Sequence, residues 1–456
     1  MEELQLQVST VSYIRHPLPH SSIFLVTTKK KTYVSATTDR QLEQLGFFSR
    51  LTKDKKIVSF SPPSVTPQTN HKEGTGGPIH SMIYRPALLS FTSVFLFGKA
   101  IGFVSSRNNA RFQNVARNMA ASSKAATTTK SAASLAEGAE KLFSRCPLVY
   151  SNPISKLVGK PVYLKLDALQ ASGSFKDRGM AHLCATFEKE GVKQLISSSG
   201  GNAGLAVATV ANQLGMSVSV IVPETTKAVV IAKLRSLGAE VTIHGKNWNE
   251  ADKLARSRVD ADPSAKYVSP YDNPLLWTGH STVVDEVIED LDGNVGAFVV
   301  SVGGGGLLCG VLEGFSRNKS VRAKVIAAET KGASSFGQAW ERQEIVTLAG
   351  IDSIATSLGA TSVTPVALER AKEHVGGFDA SICSDKEAVE ACVKFSQDHR
   401  ILVEPACGAG LAVAYSERLR ELYLKDVEGP IVLEVCGGSG VNLDLLHSWK
   451  TEFGIE

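Results

Sequence analysis

The chain lacks paired cysteines, a strong net charge and a clean apolar run. Its seven cysteines are dispersed and none forms a CxxC pair, which suits reduced thiols and a reducing compartment better than a disulfide framework. The net charge is only +4, so neither nucleic acid nor a membrane surface is an expected partner. The apolar patch 86–104 is interrupted by Gly98 and Lys99, which makes it a weak candidate for a membrane span.

Acidic residues are also missing from one long stretch. Residues 74–134 contain no Asp or Glu, whereas Lys, Arg, Ser and Ala recur there. From Met82 onward this composition is typical of a mitochondrial presequence. A start placed too far upstream, with Met82 or Met119 as the true beginning, explains it equally well. We therefore expect residues 1–135 to be a disordered extension, and the protein to be cytoplasmic or, through this segment, mitochondrial.

From about Leu135 the chain becomes regular, because short apolar runs alternate with segments of helix length. Helices are predicted at 180–190, 205–214 and 307–315. Buried strands are predicted at 161–166, 194–196, 218–222, 241–243, 297–300, 325–328 and 431–435. This repetition is typical of an α/β fold with mostly parallel sheets and right-handed crossovers.

One lysine stands where a predicted strand gives way to a helix. The segment 172–179 reads Ser-Gly-Ser-Phe-Lys-Asp-Arg-Gly, so Lys176 lies in a turn of small residues beside Phe175. Partial burial of such a lysine lowers its pKa and frees the amine for imine formation with an aldehyde. A solvated loop lysine would give the same local pattern.

Three later glycine-rich loops carry further chemistry. The loop 197–204 reads Ser-Ser-Ser-Gly-Gly-Asn-Ala-Gly before a helix, and its amides suit a carboxylate or phosphate. Four consecutive glycines, 303–306, follow a strand and open a helix. Because ordered glycines are costly, a phosphate site is the simplest reading of this run. The spacing matches neither GxGxxG nor a P-loop, and plain turns stay open as an alternative for both loops.

The last loop follows the final strand and reads Cys-Gly-Gly-Ser-Gly from Cys436. A cysteine at a strand end is usually an inert core residue. Beside two glycines it is also a candidate partner for a heterocyclic nitrogen, since a thiol is a weak donor.

The order of these four motifs resembles the fold type II family of pyridoxal-phosphate enzymes, and within it the L-serine/L-threonine dehydratases. The resemblance covers about residues 145–442 and says nothing about residues 1–135. It implies two α/β domains around a cleft: a large domain of residues 136–171 and 273–456, and a small one of residues 172–272. It also implies a homodimer.

The resemblance implies a role for each motif. Lys176 would be the catalytic residue and would hold pyridoxal 5'-phosphate through an imine. The cofactor would be bound by Lys176, Phe175, Asn202, Gly303, Gly304, Gly305, Gly306 and Cys436. The substrate carboxylate would be bound by Ser199, Gly200, Gly201 and Ala203. A potassium ion near the glycine loop would be held by Glu329, Ala333, Leu358 and Ala360, although a cap role for Glu329 also stays open.

The implied reaction is α,β-elimination from a small amino acid. Lys176 would remove the α-proton, the β-hydroxyl would leave, and L-serine would give pyruvate and ammonia. L-Threonine would give 2-oxobutanoate, in amino acid catabolism that feeds gluconeogenesis. The preference between the two substrates stays open.

Other functions fit the sequence less well. Serine racemase has a serine where this chain has Gly200, which cannot transfer a proton. Biosynthetic threonine dehydratase carries a regulatory domain after the shared region, where only a short tail follows Asn442. Threonine and cysteine synthases usually have serine or threonine at the position of Cys436. A non-enzymatic regulator would not need the intact motif set, and a NAD-dependent dehydrogenase lacks its fingerprint.

Overall fold

The computed structural model of the protein describes residues 8–15, 21–28, 32–38 and 132–456. Near the N-terminus it contains three strands that form an antiparallel sheet in the order β1-β2-β3. They are β1 (Val8–Arg15), β2 (Ser21–Thr28) and β3 (Thr32–Thr38). The β-branched residues of these strands favour extended backbone, and the expected disorder of residues 1–135 stays a prediction. The proposed transit segment from Met82 to residue 131 lies outside the described residues.

The larger sheet of the remaining chain has six strands in the order β12-β11-β10-β13-β5-β4. All neighbouring pairs are parallel except β4 and β5, which are antiparallel. The strands are β4 (Leu148–Tyr150), β5 (Val162–Lys165), β10 (Ala297–Ser301), β11 (Lys324–Thr330), β12 (Phe378–Cys383) and β13 (Ile431–Glu434). Central strands β10 and β13 are buried throughout, as expected when helices cover both faces of a parallel sheet.

A second sheet has four parallel strands in the order β8-β7-β6-β9. They are β6 (Gln194–Ser197), β7 (Ser217–Val222), β8 (Glu240–Ile243) and β9 (Ala265–Tyr267). A small separate core of Ile196, Ile221, Ala251, Ala255 and Ala265 packs under this sheet. All four strands fall within the segment 172–272, which is predicted to form the small domain.

Thirteen helices of residues 132–456 connect and cover these strands. The first seven are α1 (Asn152–Val158), α2 (Lys176–Lys189), α3 (Asn202–Leu214), α4 (Ala228–Ser236), α5 (Trp248–Ala261), α6 (Pro274–Asp290) and α7 (Gly306–Arg317). The others are α8 (Ser335–Arg342), α9 (Pro365–Glu373), α10 (Asp385–His399), α11 (Pro405–Tyr415), α12 (Glu417–Tyr423) and α13 (Leu443–Glu452). No helix in the described part of the chain has both the length and the apolar character needed to span a membrane.

Candidate active site

Lys176 is the first residue of helix α2. Its side chain is half-buried, and its Nζ donates to the carbonyl of Pro270 at 3.0 Å and lies 4.8 Å from the centre of the Phe175 ring. Burial lowers the pKa of Lys176 to about 8, while the nearby Cys436 and Glu404 act in the opposite direction. An amine with this pKa is available as a nucleophile near neutral pH.

The turn before Lys176 is joined by backbone hydrogen bonds to the loop that begins at Cys436. Phe175 N donates to Cys436 O at 3.1 Å, and Gly438 N donates to Gly173 O at 2.9 Å. A side chain at Gly437 would meet Gly173 O at 2.4 Å, so the close approach of the two loops requires glycine there. The fold therefore places together two motifs that are far apart in sequence.

The four glycines 303–306 form the turn from β10 into α7. Gly305 has φ +91°, and no side chain caps the helix at this position. Among the described residues, none of the four N–H groups of 303–306 donates a hydrogen bond. A Cβ at Gly304 would lie 2.4 Å from the ring of Tyr271, the residue after the carbonyl that Lys176 contacts. These free amides at a helix N-terminus are suited to bind a phosphate.

The loop 199–203 opens helix α3 in the same way. The N–H groups of Gly200, Gly201 and Asn202 have no hydrogen-bond acceptor in the described part of the chain. A Cβ at Gly204 would lie 1.7 Å from Ser199 O, so glycine is needed for the loop to fold back on the helix. This arrangement is a nest for a carboxylate.

The side chain of Asn202 connects this loop to two others. Its Nδ2 donates to Glu404 Oε1 at 2.8 Å, and its Oδ1 accepts from the N–H and the hydroxyl of Ser439 at 2.9 and 2.8 Å. Glu404 is buried, and burial raises its pKa. Glu404 and Ser439 have no role among the sequence-based expectations, since nothing in the sequence shows that they meet Asn202.

Cys436 is buried at the end of β13, close to Cys407 and Ser301. Its hydrogen bond with Cys407, and then its burial, raise the pKa of the Cys436 thiol well above its usual range. The buried hydroxyl of Ser301 lies beside this thiol and opposes the rise in its pKa. This end of the site therefore offers two neutral groups, a thiol and a hydroxyl, to a bound ring.

Behind Lys176 lies a buried ionic cluster centred on Arg178, which is also on α2. The guanidinium is fully buried and contacts both oxygens of Asp167 at 2.6 and 2.7 Å. It also contacts both oxygens of Glu286 at 2.6 and 2.9 Å, and Lys165 Nζ lies 2.5 Å from Glu286 Oε2. Burial raises the pKa of the neighbouring Glu434 carboxyl well above its usual range. The fork of Arg178 thereby fixes the helix that carries Lys176.

The predicted potassium ligands lie in adjoining segments. Glu329, at the end of β11, accepts hydrogen bonds from the N–H groups of Phe336 and Gly337 at 3.0 and 2.6 Å. Burial raises its pKa to about 8. Ala333 and Leu358 are buried, and Leu358 O accepts from Ala360 N at 2.7 Å. Within the described residues, no three His, Cys, Asp or Glu side chains form a candidate metal site.

A cavity of about 210 Å³ opens beside the carboxylate loop. Its lining includes the polar residues Asn202, Ser357, Glu404 and Ser439 and the apolar residues Leu205, Val230, Ile354 and Trp449. Gly200 and Gly201 form part of its wall. The cavity is of a size to admit a small amino acid next to the free amides of the loop.

Together these groups fit a phosphorylated aldehyde with a heterocyclic ring. They provide a reactive amine at Lys176, free amides at 303–306, and a buried hydroxyl at Ser301 beside a neutral thiol. The fold and the site thus define a class of protein, the α/β enzymes that carry pyridoxal phosphate on a lysine.

Comparison with known proteins leads to the same class. The family model described as pyridoxal-phosphate dependent enzyme matches residues 140–437. The chain is 42% identical over 320 residues to the L-serine dehydratase/L-threonine deaminase of Mus musculus. The alignment covers 69% of this chain and 97% of that relative.

Two solved structures are similar over the same region. The crystal structure of a fungal L-serine ammonia-lyase from Rhizomucor miehei has a TM-score of 0.64 and 31% identity, covering 68% of this chain and 99% of that one. The processed form of threonine deaminase isoform 2 from Solanum lycopersicum has a TM-score of 0.63 and 25% identity. This match covers 70% of the present chain and 86% of the Solanum lycopersicum chain. The chain belongs to the family of pyridoxal-phosphate dependent enzymes, and the predicted fold type II architecture is confirmed.

Proposed function

We propose that this protein is a pyridoxal-phosphate-dependent dehydratase that converts L-serine to pyruvate and ammonia, and L-threonine to 2-oxobutanoate and ammonia. The observation that carries the proposal is the half-buried Lys176 amine, whose pKa is lowered by burial and which lies close enough to Cys436 and Glu404 to feel their charges. The same chain carries two loops whose amides are free to bind anions. The relatives named L-serine dehydratase/L-threonine deaminase support the choice of reaction within the family.

Each part of the cofactor has a matching group in the chain. Lys176 would hold the aldehyde carbon, and the amides of residues 303–306 would bind the phosphate at the N-terminus of α7. Asn202 would donate to the ring oxygen, while Phe175 would pack against the ring. Cys436 would face the ring nitrogen. When bound, the cofactor supplies an electron sink for the α-carbon of the amino acid.

The substrate side follows from the loop at the start of α3. Ser199, Gly200, Gly201 and Ala203 would hold the carboxylate of the amino acid, which fixes the position of its α-carbon. Once the amino group of the substrate has released it from the cofactor, Lys176, with its pKa lowered to about 8, would take the α-proton as general base. The β-hydroxyl would then leave as water, taking a proton equivalent to the one that Lys176 removed from the α-carbon. Hydrolysis of the product would consume one water and release the keto acid and ammonia. Gly200 has no side chain that could return a proton on the opposite face, so dehydration is favoured over racemisation.

Three further features belong to the proposal. A potassium ion would be bound by Glu329 together with backbone oxygens of Ala333, Leu358 and Ala360. The small domain 172–272 would close over the substrate, and the large domain would comprise 136–171 and 273–456. The enzyme would be a cytoplasmic homodimer.

The test is keto-acid release from L-serine, L-threonine and D-serine by purified protein with pyridoxal phosphate, in potassium and in sodium buffers. We expect release from the two L-amino acids, and loss of that release in Lys176→Ala. Lys189→Ala is the matched control, because Lys189 is on the same helix but is exposed. A yellow protein that releases no keto acid would contradict the reaction, and a colourless one would contradict the cofactor.

A further inference from the structure

The carboxyl of Glu404 lies where three loops of the candidate site meet. Glu404 directly precedes helix α11, is 7% exposed and lines the cavity beside the carboxylate loop. Its Oε1 accepts from Asn202 Nδ2 at 2.8 Å. The hydroxyl of Ser357 and the N–H of Gly440 lie close to the same carboxyl and oppose the rise in its pKa that burial causes. One buried carboxyl thus contacts segments that are far apart in sequence.

The loop after Cys436 is shaped to admit this carboxyl. Gly438 has φ +127°, and a Cβ there would lie 2.0 Å from Glu404 Cδ. A Cβ at Gly440 would lie 3.2 Å from Glu404 Oε2. Any side chain at 438 would therefore displace the carboxyl, and the positive φ would strain it further. The absence of side chains at Gly438 and Gly440 therefore leaves the space that the Glu404 carboxyl occupies.

The contacts of Asn202 fix which way its amide faces. A backbone N–H can only donate, so the atom that accepts from Ser439 N at 2.9 Å is the oxygen Oδ1. The nitrogen Nδ2 then faces Glu404 and gives one of its two protons to the carboxyl. Among the described residues no second acceptor is found for Nδ2, so one proton is left for a ligand.

We propose that Glu404 is a positioning residue, which holds the Asn202 amide so that the remaining Nδ2 proton is directed at the ring oxygen of the cofactor. This inference rests on the proposed function only through the presence of that cofactor. Glu404 does not touch the reacting atoms in this role, and it acts through Asn202. Without a carboxyl at 404, the amide would keep its bonds to Ser439 but lose the acceptor that fixes its nitrogen.

The test is a double-mutant cycle on cofactor binding. Glu404→Gln keeps the volume but brings an NH2 group toward the donors of Ser357, Gly440 and Asn202. We expect the dissociation constant of pyridoxal phosphate, measured by titration of the apoprotein, to rise about tenfold, as for one hydrogen bond to a charged group. The pH at which the visible band of the imine titrates should shift as well. In an Asn202→Ala background the same substitution should change the dissociation constant less than about twofold. The titration pH of the imine band should then stay nearly unchanged.

Two further variants complete the design. Glu404→Asp keeps the charge but shortens the side chain, so it should weaken binding in the same direction and through Asn202. Glu387→Gln removes a hydrogen-bonded carboxylate on α10 and should leave cofactor binding unchanged. If Glu404→Gln does not fold, Glu404→Asp with and without Asn202→Ala gives the same comparison.

The outcomes separate the two proposals. An equal loss of affinity with and without Asn202 would overturn the positioning role, as would unchanged affinity in both Glu404 variants. Absence of an imine band in the unmutated protein would instead contradict the cofactor assignment itself. Turnover of serine is not needed for either conclusion, so failure of the dehydratase reaction would leave this result standing.

Discussion

Removal of the Arg178 guanidinium should be among the most destabilising single changes in the described chain. Arg178 is fully buried and makes two-pronged contacts with Asp167 and Glu286. Lys165, which contacts Glu286, is the other cation of the cluster. Arg178→Met would leave a single ammonium facing two buried carboxylates. The methionine fills much of the space, so the loss would come from uncompensated charge rather than from a cavity.

The expected loss follows from the burial of the partners. Breaking a buried ion pair by removal of one partner costs about 3–5 kcal/mol, because the other charge stays desolvated. The exposed pair of Arg145 with Glu289, whose side chains are 48% and 72% exposed, gives the matched comparison. An exposed pair contributes only about 0–1 kcal/mol. Arg178→Met and Arg145→Met should therefore differ by several kcal/mol.

The assay is equilibrium unfolding in urea, followed by tryptophan fluorescence and by circular dichroism. Arg178→Lys is the intermediate variant, because one ammonium can satisfy one carboxylate but cannot replace the fork. It keeps the test informative if the methionine variant fails to fold. A loss below about 1 kcal/mol in Arg178→Met, similar to that in Arg145→Met, would refute the reasoning.

Three other changes have defined outcomes. The lowered pKa of Lys176, about 8, predicts that the apoprotein forms its imine faster as the pH rises through that value. At pH 7.5, ~25% of such an amine is unprotonated, against ~0.1% for an ordinary lysine, and absorbance of the imine measures this rate. Gly304→Ala places a Cβ 2.4 Å from the ring of Tyr271, and this overpacking of the glycine loop should cost about 1–3 kcal/mol of free energy. Because the loop would bind the phosphate, titration should show weaker cofactor binding. Gly200→Ser places its Cβ 3.1 Å from Val222, so serine turnover should fall. Because the new hydroxyl could return a proton on the opposite face, D-serine should become detectable by chiral chromatography, and its absence would contradict the role given to Gly200.

The sequence pattern predicted most of the central strands because each is a short run of buried residues. The predicted run 297–300 became β10 (Ala297–Ser301), and 431–435 became β13 (Ile431–Glu434). The three predicted helices lie where helices are found, but each predicted helix begins one to four residues too late. Helix α2 begins at Lys176 rather than at Met180, since glycine and charged residues in its first turn hide the apolar period. Strand β12 (Phe378–Cys383) was missed because its polar residues interrupt the apolar run.

The candidate site was predictable only where the chemistry is local. Lys176, Asn202 and the glycines 303–306 stand in motifs whose spacing can be read along the chain. Glu404 could not be assigned, because its meaning depends on Asn202, which is 202 positions away. The position of Tyr271 beside the glycine loop could not be predicted either, since its contact with Gly304 arises from the packing of separate segments. The roles of these residues remain proposals that the variants above test.

The charge balance behind Lys176 bears on which reaction the site favours. The two buried cations, Lys165 and Arg178, are matched by Asp167 and Glu286. Burial raises the pKa of Glu434, two positions from Cys436, well above its usual range, so this carboxyl ionises less readily than an ordinary glutamate. A ring nitrogen at Cys436 would face the thiol, which would not hold it protonated as a carboxylate would. Less negative charge would then be drawn into the ring, which favours rapid departure of the β-hydroxyl over slower side reactions such as transamination.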